Sequence, residues 1–263
     1  MDDMHNIPRT KRAATAARKA QPISASGKLK RIVETLGFTE HNTIKLCSGG
    51  GQLRHDFDIN PDDFLQMAED SYGRGALPQA LTDAKRAIHC QIDQALLALG
   101  YSLEERGMKW KLSLMTRCGF VAPRIMKKVS DARNLLEHEY RAPTKRRVEE
   151  ALDIAALFVG ATRRHLDYFE HEFCVGKKSE QIDDFDCSSE LSFHYDEDKH
   201  YYHVIACENI LPNTYGHRSD IMGKIKVDAK DDLFPLLVKL TVAGDHEGKV
   251  KQALQEFFAA LAK

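Results

Sequence analysis

Three side chains in one short stretch carry the chemistry needed to break a phosphodiester bond in RNA. They are Arg133, Asn134 and His138, within Asp131–Tyr140. The ordinary pKa of histidine lies nearest neutrality, so it can take or give a proton. Arginine stays charged and holds a phosphate with a rigid fork of donors. Asparagine carries a donor and an acceptor on a short stem and orients either partner.

The elements that position these residues follow from periodicity. The spacing predicts a helix over about Val121–Arg141, ended by Pro143. With Arg133 at zero and about 100° per residue, Ile125, Val129, Ala132 and Leu136 fall between about 260° and 320°, a core stripe. Glu137 lies near 40°, Asn134 near 100° and His138 near 140° in the same count, roughly. Asn134 and His138 therefore point away from the core, and Arg133 is long enough to reach round from the flank. On residue types alone, a solvated helix face would look the same.

That helix is the third of four. Asn60-Pro61 starts the first, with Asn as cap and Pro at the first helical position. It runs to about Tyr72, with Phe64, Met67, Ala68 and Tyr72 at helical spacing, and Gly73 and Gly75 end it. The second covers about Leu77–Leu99, with Ala80, Ala84, Ala87, Ile88, Ile92, Ala95 and Leu96 as its stripe, and Gly100 stops it. Trp110, Leu112 and Leu114 are expected to anchor the join to the third. Thr144 caps the fourth, which is predicted to reach about His171 with Val148, Ala151, Leu152, Ala155, Ala156, Phe158 and Val159 inside. Four long helices with short joins predict a bundle over residues 60–172.

Flanking segments differ in kind. Residues 1–29 read as a disordered basic arm, and residues 1–31 hold eight Lys/Arg against two acids. Arg9, Lys11, Arg12, Arg18 and Lys19 are its candidate phosphate contacts, with Arg141 beside the main string. Residues 30–59 read as a connector with a short helix, Leu29–Leu36, and a strand at Thr43–Leu46. Ser48-Gly-Gly-Gly51 lacks the Lys-Ser/Thr of a P-loop and reads as a flexible link. After Phe173 the period changes to two. Glu190–Tyr195 and Tyr201–Cys207 alternate around a turn at Asp196–Lys199, and Ile221–Val227 predicts a third strand. Leu233–Val242 fits strand or helix, and Lys249–Leu261 is an amphipathic helix. The expected fold is mainly α, with a small α+β domain over 173–263.

The string Arg133-Asn134-Leu-Leu-Glu-His138 resembles the R-x4–6-H motif of the HEPN superfamily, which places a polar residue directly after the arginine. The resemblance covers about residues 60–172. It is supported by the Gly-then-Ala-rich second helix, Tyr72–Ile88. It implies a metal-independent endoribonuclease in which two copies pair, so that both motifs line one cleft and the chain is a homodimer through the helix carrying Arg133 and His138. On that resemblance His138 is the general acid/base, Arg133 stabilises charge on the phosphorane-like transition state, and Asn134 orients phosphate or histidine. Glu137 and Tyr140 are possible helpers. Attack by the 2′-OH would leave a 2′,3′-cyclic phosphate. A toxin or phage-defence role is implied by the family alone. The superfamily also has non-catalytic members, so an RNA-binding or protein-interaction module on the same surface is the alternative.

Composition restricts other readings. The net charge of −1 over 263 residues gives no global field for nucleic acid. The acidic lean after residue 175 suits a protein partner at 173–263 better than RNA. No apolar run approaches the roughly 20 residues of a membrane span, and the first residues lack a signal's apolar core. Six cysteines without a C-x-x-C pair read as reduced thiols of a cytoplasmic protein. His194, Asp196, Asp198, His200 and His203 surround the hairpin, but strand residues alternate faces, and no metal or other cofactor is expected. His165 and His171, six residues apart, do not share a helical face, and His89 reads as structural.

Overall fold

The computed structural model describes residues 24–46, 50–120, 142–178, 187–208, 220–244 and 247–262. In chain order the elements are α1 (Ala25–Leu36), β1 (Thr43–Leu46), α2 (Pro61–Gly73), α3 (Leu77–Ala98), α4 (Met108–Arg117) and α5 (Lys145–Asp167). Then come β2 (Glu172–Lys178), β3 (Cys187–Asp196), β4 (Tyr201–Glu208), β5 (Asp220–Asp228), α6 (Phe234–Ala243) and α7 (Glu247–Ala262). The architecture is mixed α+β, with a helical first part.

Proline and glycine set the helix ends. Pro61 opens α2, and the Asn60 N–H donates to Asp63 Oδ2 at 2.8 Å, satisfying a donor ahead of the first turn. Pro78 stands in the first turn of α3. Gly100, at φ +81°, turns the chain after α3 in a conformation that an L side chain resists. The buried stripe of α3 includes Ala80, Ala84, Ile88, Ile92, Ala95 and Leu96. Its alanines let α2 and α5 pack close on either side.

The five strands form one antiparallel sheet in the order β1-β2-β3-β4-β5. Alternation decides its faces. Phe173, Val175, Leu191, Phe193, Tyr202, Val204, Ile225 and Val227 are buried on one side. Helices α6 and α7 cover that side, with Phe234 against Tyr202 and Phe257 against Phe193. His194, His203 and Lys226 are exposed on the other.

One apolar core runs from Leu29 to Leu261 and crosses residue 172, where the sequence suggests a domain boundary. Tyr195 and Tyr101 join the parts. The Tyr195 hydroxyl donates to the Ala98 carbonyl at 3.4 Å, and the Tyr101 ring meets Phe234 edge-on at 5.6 Å.

Four expectations need correction. Helix α5 ends at Asp167 and does not reach His171, because Phe169 exchanges backbone hydrogen bonds of 2.9 Å with Gly51 and enters the sheet's core. Strand β2 follows directly, unmarked in the sequence. The join after α3 is itself a helix, α4, which buries Leu114 and Met115. The connector is structural: β1 pairs with β2, and a Cβ on Gly51 would meet the His171 ring at 2.5 Å, so Gly51 serves close approach and not flexibility. Helix α1 also begins earlier than expected, capped by the Ser24 hydroxyl accepting from Gly27 N–H at 3.1 Å. The ambiguous Leu233–Val242 is helical. Among the described residues no helix is long and apolar enough to cross a membrane.

Candidate functional site

Arg133, Asn134, Glu137, His138, Tyr140 and Arg141 lie outside the described residues, and so do Arg9, Lys11, Arg12, Arg18 and Lys19 of the basic arm. The structure describes the frame on either side of the motif. Before it, Gly119 at φ +88° reverses the chain, and the Phe120 N–H donates to the Met115 carbonyl at 3.0 Å. The buried Phe120 ring meets His165 edge-on at 6.0 Å, near the C-terminal end of α5. After it, Pro143 is buried and Thr144 leads into the N-terminal end of α5. The motif segment thus departs from one end of α5 and returns at the other.

A cluster of titratable groups stands at the return end. The Tyr72 hydroxyl donates to the Glu149 carboxylate, and Lys145 Nζ lies 5.5 Å from the centre of the Tyr72 ring. The bond to Glu149 raises the Tyr72 pKa above its ordinary value, with burial adding to the effect and Lys145 opposing it. Tyr72 is therefore protonated at neutral pH and acts as a donor. Arg163 pairs with Asp62 and fastens α5 to the start of α2.

Other candidate chemistry is dispersed. His194 Nδ1 is 2.8 Å from Glu172 Oε1, and His194 and His203 are register partners on the open sheet face. His200 instead sits in the hairpin turn, with Nδ1 3.3 Å from Tyr195 Oη. Asp196 turns to Lys199, whose ammonium bonds its carboxylate and holds it below the usual pKa. Among the described residues no group of three or more His, Cys, Asp or Glu converges as metal ligands would. Burial pushes the Cys118 thiol up to about 12, and burial with Asp93 and Asp63 pushes Cys90 up to about 11. Both stay thiols at neutral pH and are poor nucleophiles.

Sequence reading passed over one concave feature. A cleft of about 210 Å³ lies between α4 and the turn joining β5 to α6, with Tyr101, Trp110, Ser113, Arg117, Lys230 and Asp232 in its walls. The available signal was a lone tryptophan set among Arg106, Lys109, Lys111 and Arg117. No family model, curated protein or solved structure matches the chain.

Proposed function

We propose that the chain is a metal-independent endoribonuclease of HEPN type, acting as a homodimer in a toxin or phage-defence role. The observation that carries the reading is the string Arg133-Asn134…His138. In the proposed reaction His138 takes the proton of a ribose 2′-OH. The 2′ oxygen then attacks phosphorus, the P–O5′ bond breaks, and a protonated group returns a proton to the leaving oxygen. Arg133 holds the phosphorane-like charge, and Asn134 orients the phosphate or the imidazole. Glu137 and Tyr140 assist at the same face, and the basic arm and Arg141 grip flanking phosphates.

The described frame supports this reading. Three helices of the expected bundle, α2, α3 and α5, pack together in the expected order. Helix α5 has 23 residues, which at helical rise is roughly 34 Å. The 21 residues from 121 to 141, if helical as the sequence predicts, span about 31 Å. That length suits a helix returning along α5.

The test is incubation of total RNA with the protein in EDTA, beside a His138→Ala variant. Decay with wild type and none with the variant is expected. Equal decay in both would remove His138 from the mechanism, and a fully active monomer would remove the paired cleft. A second reading is favoured by Ile221 and Met222, exposed by 55% and 46% on β5: a protein partner docks on the C-terminal part. An inactive protein in the EDTA assay would leave that reading in place.

A further inference from the structure

We propose that the cleft between α4 and the β5–α6 turn binds one unpaired guanine base of an RNA strand. The inference rests on RNA being the substrate and adds base recognition apart from the motif. Size comes first. Small-molecule sites generally measure about 300–1,000 Å³, and about 210 Å³ admits a single ring system, not a whole cofactor. The walls are suited to a flat ring. Trp110 is half-buried in the cleft, and its indole is steadied by Arg106, whose guanidinium lies 4.9 Å from the ring centre and is not itself part of the cleft wall. Tyr101 closes the inner side, edge-on to Trp110 at 6.5 Å. Unpaired bases are held on such aromatic walls.

The polar rim selects among bases. Arg117 and Lys230 supply donors, while Asp231 and Asp232 supply acceptors. A bare phosphate would meet two carboxylates beside the two cations and gain little. Guanine carries both complements. Its O6 and N7 accept from a guanidinium fork. Its N1–H and amino group donate side by side, as a carboxylate requires. Cytosine and uracil lack that pair of edges.

The rim is also available. Arg117 Nη2 donates to the Asp232 carbonyl at 3.2 Å and approaches Oδ1 at 3.4 Å, long contacts of an exposed pair that a ligand can exchange. The turn itself is fixed. The Lys230 N–H donates to Asp228 Oδ1 at 3.0 Å, and the Leu233 N–H donates to Asp231 Oδ1 at 2.9 Å. A preformed turn spares a ligand the cost of ordering it.

Trp110 is the single tryptophan of the chain, so its fluorescence reports on this cleft alone. The experiment titrates the full chain with guanosine 5′-monophosphate, and separately with the adenosine, cytidine and uridine monophosphates, while exciting tryptophan. Saturable quenching by the guanosine nucleotide is expected, about tenfold tighter than by the pyrimidines, a factor one good polar contact supplies. Arg117→Ala and Asp232→Ala should each weaken it by about tenfold. The Asp232 side chain is 99% exposed, so its loss leaves the fold intact. No saturable response in the millimolar range, or one equal for all four nucleotides and indifferent to both substitutions, overturns the proposal. RNA cleavage in EDTA without quenching would remove the cleft and keep the nuclease. Quenching without cleavage would do the reverse.

Discussion

Gly100→Ala probes the seam between the helical part and the sheet. A Cβ there would lie 2.2 Å from His200 Cβ and 2.6 Å from its Cγ. Non-bonded carbons prefer about 3.5–4.0 Å, so one side must retreat by more than 1 Å, roughly. Two costs add. A left-handed backbone costs an L residue about 1–2 kcal/mol, and Gly100 has φ +81°. Overpacking a close contact costs about 1–3 kcal/mol. The expected loss is about 2–5 kcal/mol in all. Retreat of the hairpin is resisted because His200 Nδ1 lies 3.3 Å from Tyr195 Oη, which in turn reaches the Ala98 carbonyl. The partner change is His200→Gly, which deletes the colliding Cβ at a residue that itself sits at φ +52°. In that background Gly100→Ala should cost only the backbone share, about 1–2 kcal/mol. A double-mutant cycle by urea denaturation measures the coupling, expected at about 1–3 kcal/mol. A change of under about 0.5 kcal/mol for Gly100→Ala alone, or the same cost in both backgrounds, would show that Gly100 and His200 do not meet closely.

Further outcomes follow from buried and half-buried groups. The Tyr202 and Thr241 hydroxyls are 3.0 Å apart, and Thr241 Oγ1 donates to the Leu237 carbonyl at 3.2 Å. Thr241→Val should cost about 1–3 kcal/mol by stranding the buried Tyr202 hydroxyl, and adding Tyr202→Phe should recover much of it; urea midpoints without recovery would contradict this. At Glu256 burial alone would raise the carboxyl, but hydrogen bonds from Lys239 and Gln252 prevail and hold it below the ordinary 4.5. A depressed carboxylate contributes stability above its unfolded pKa and loses it as pH falls through the folded value. Glu256→Gln should therefore flatten the decline in urea midpoint below about pH 4.5, and an unchanged decline would count against the pairing. Cys118, fully buried with its thiol at about 12, should resist iodoacetamide at pH 8 in the folded protein. Prompt labelling without denaturant, read by mass spectrometry, would show that it is accessible.

Much of the fold was legible because local chemistry and tertiary packing agree. Asn60-Pro61, Gly100 and Thr144 mark helix ends that α2, α3 and α5 respect to within a residue or two. The hairpin between Tyr195 and Tyr201 was equally plain from alternation around a charged turn. The missed elements were set by distant partners. Strand β2 lies between β3 and β1, the latter more than a hundred residues earlier, and no local pattern in Glu-Phe-Cys-Val-Gly-Lys-Lys announces either pairing. Gly51 looked like slack because the His171 ring that demands its bare Cα is far away in sequence. Helix α4 was obscured by three basic residues, Lys109, Lys111 and Arg117, and a tryptophan, while only Leu114 and Met115 are fully buried. For the site, sequence supplied residue types and an outward aim for Asn134 and His138. The structure adds the fixed ends at Phe120 and Pro143, and a cleft that requires β5 and α6 to exist.

The most direct test of the central claim examines the ends of the product. RNA and DNA strands of one sequence are incubated with the protein in EDTA, and the new termini are identified by mass spectrometry. The account predicts cleavage of RNA alone, 2′,3′-cyclic phosphate ends, and no products with His138→Ala. Cleaved DNA, or RNA ends carrying a free 3′-hydroxyl, would contradict it.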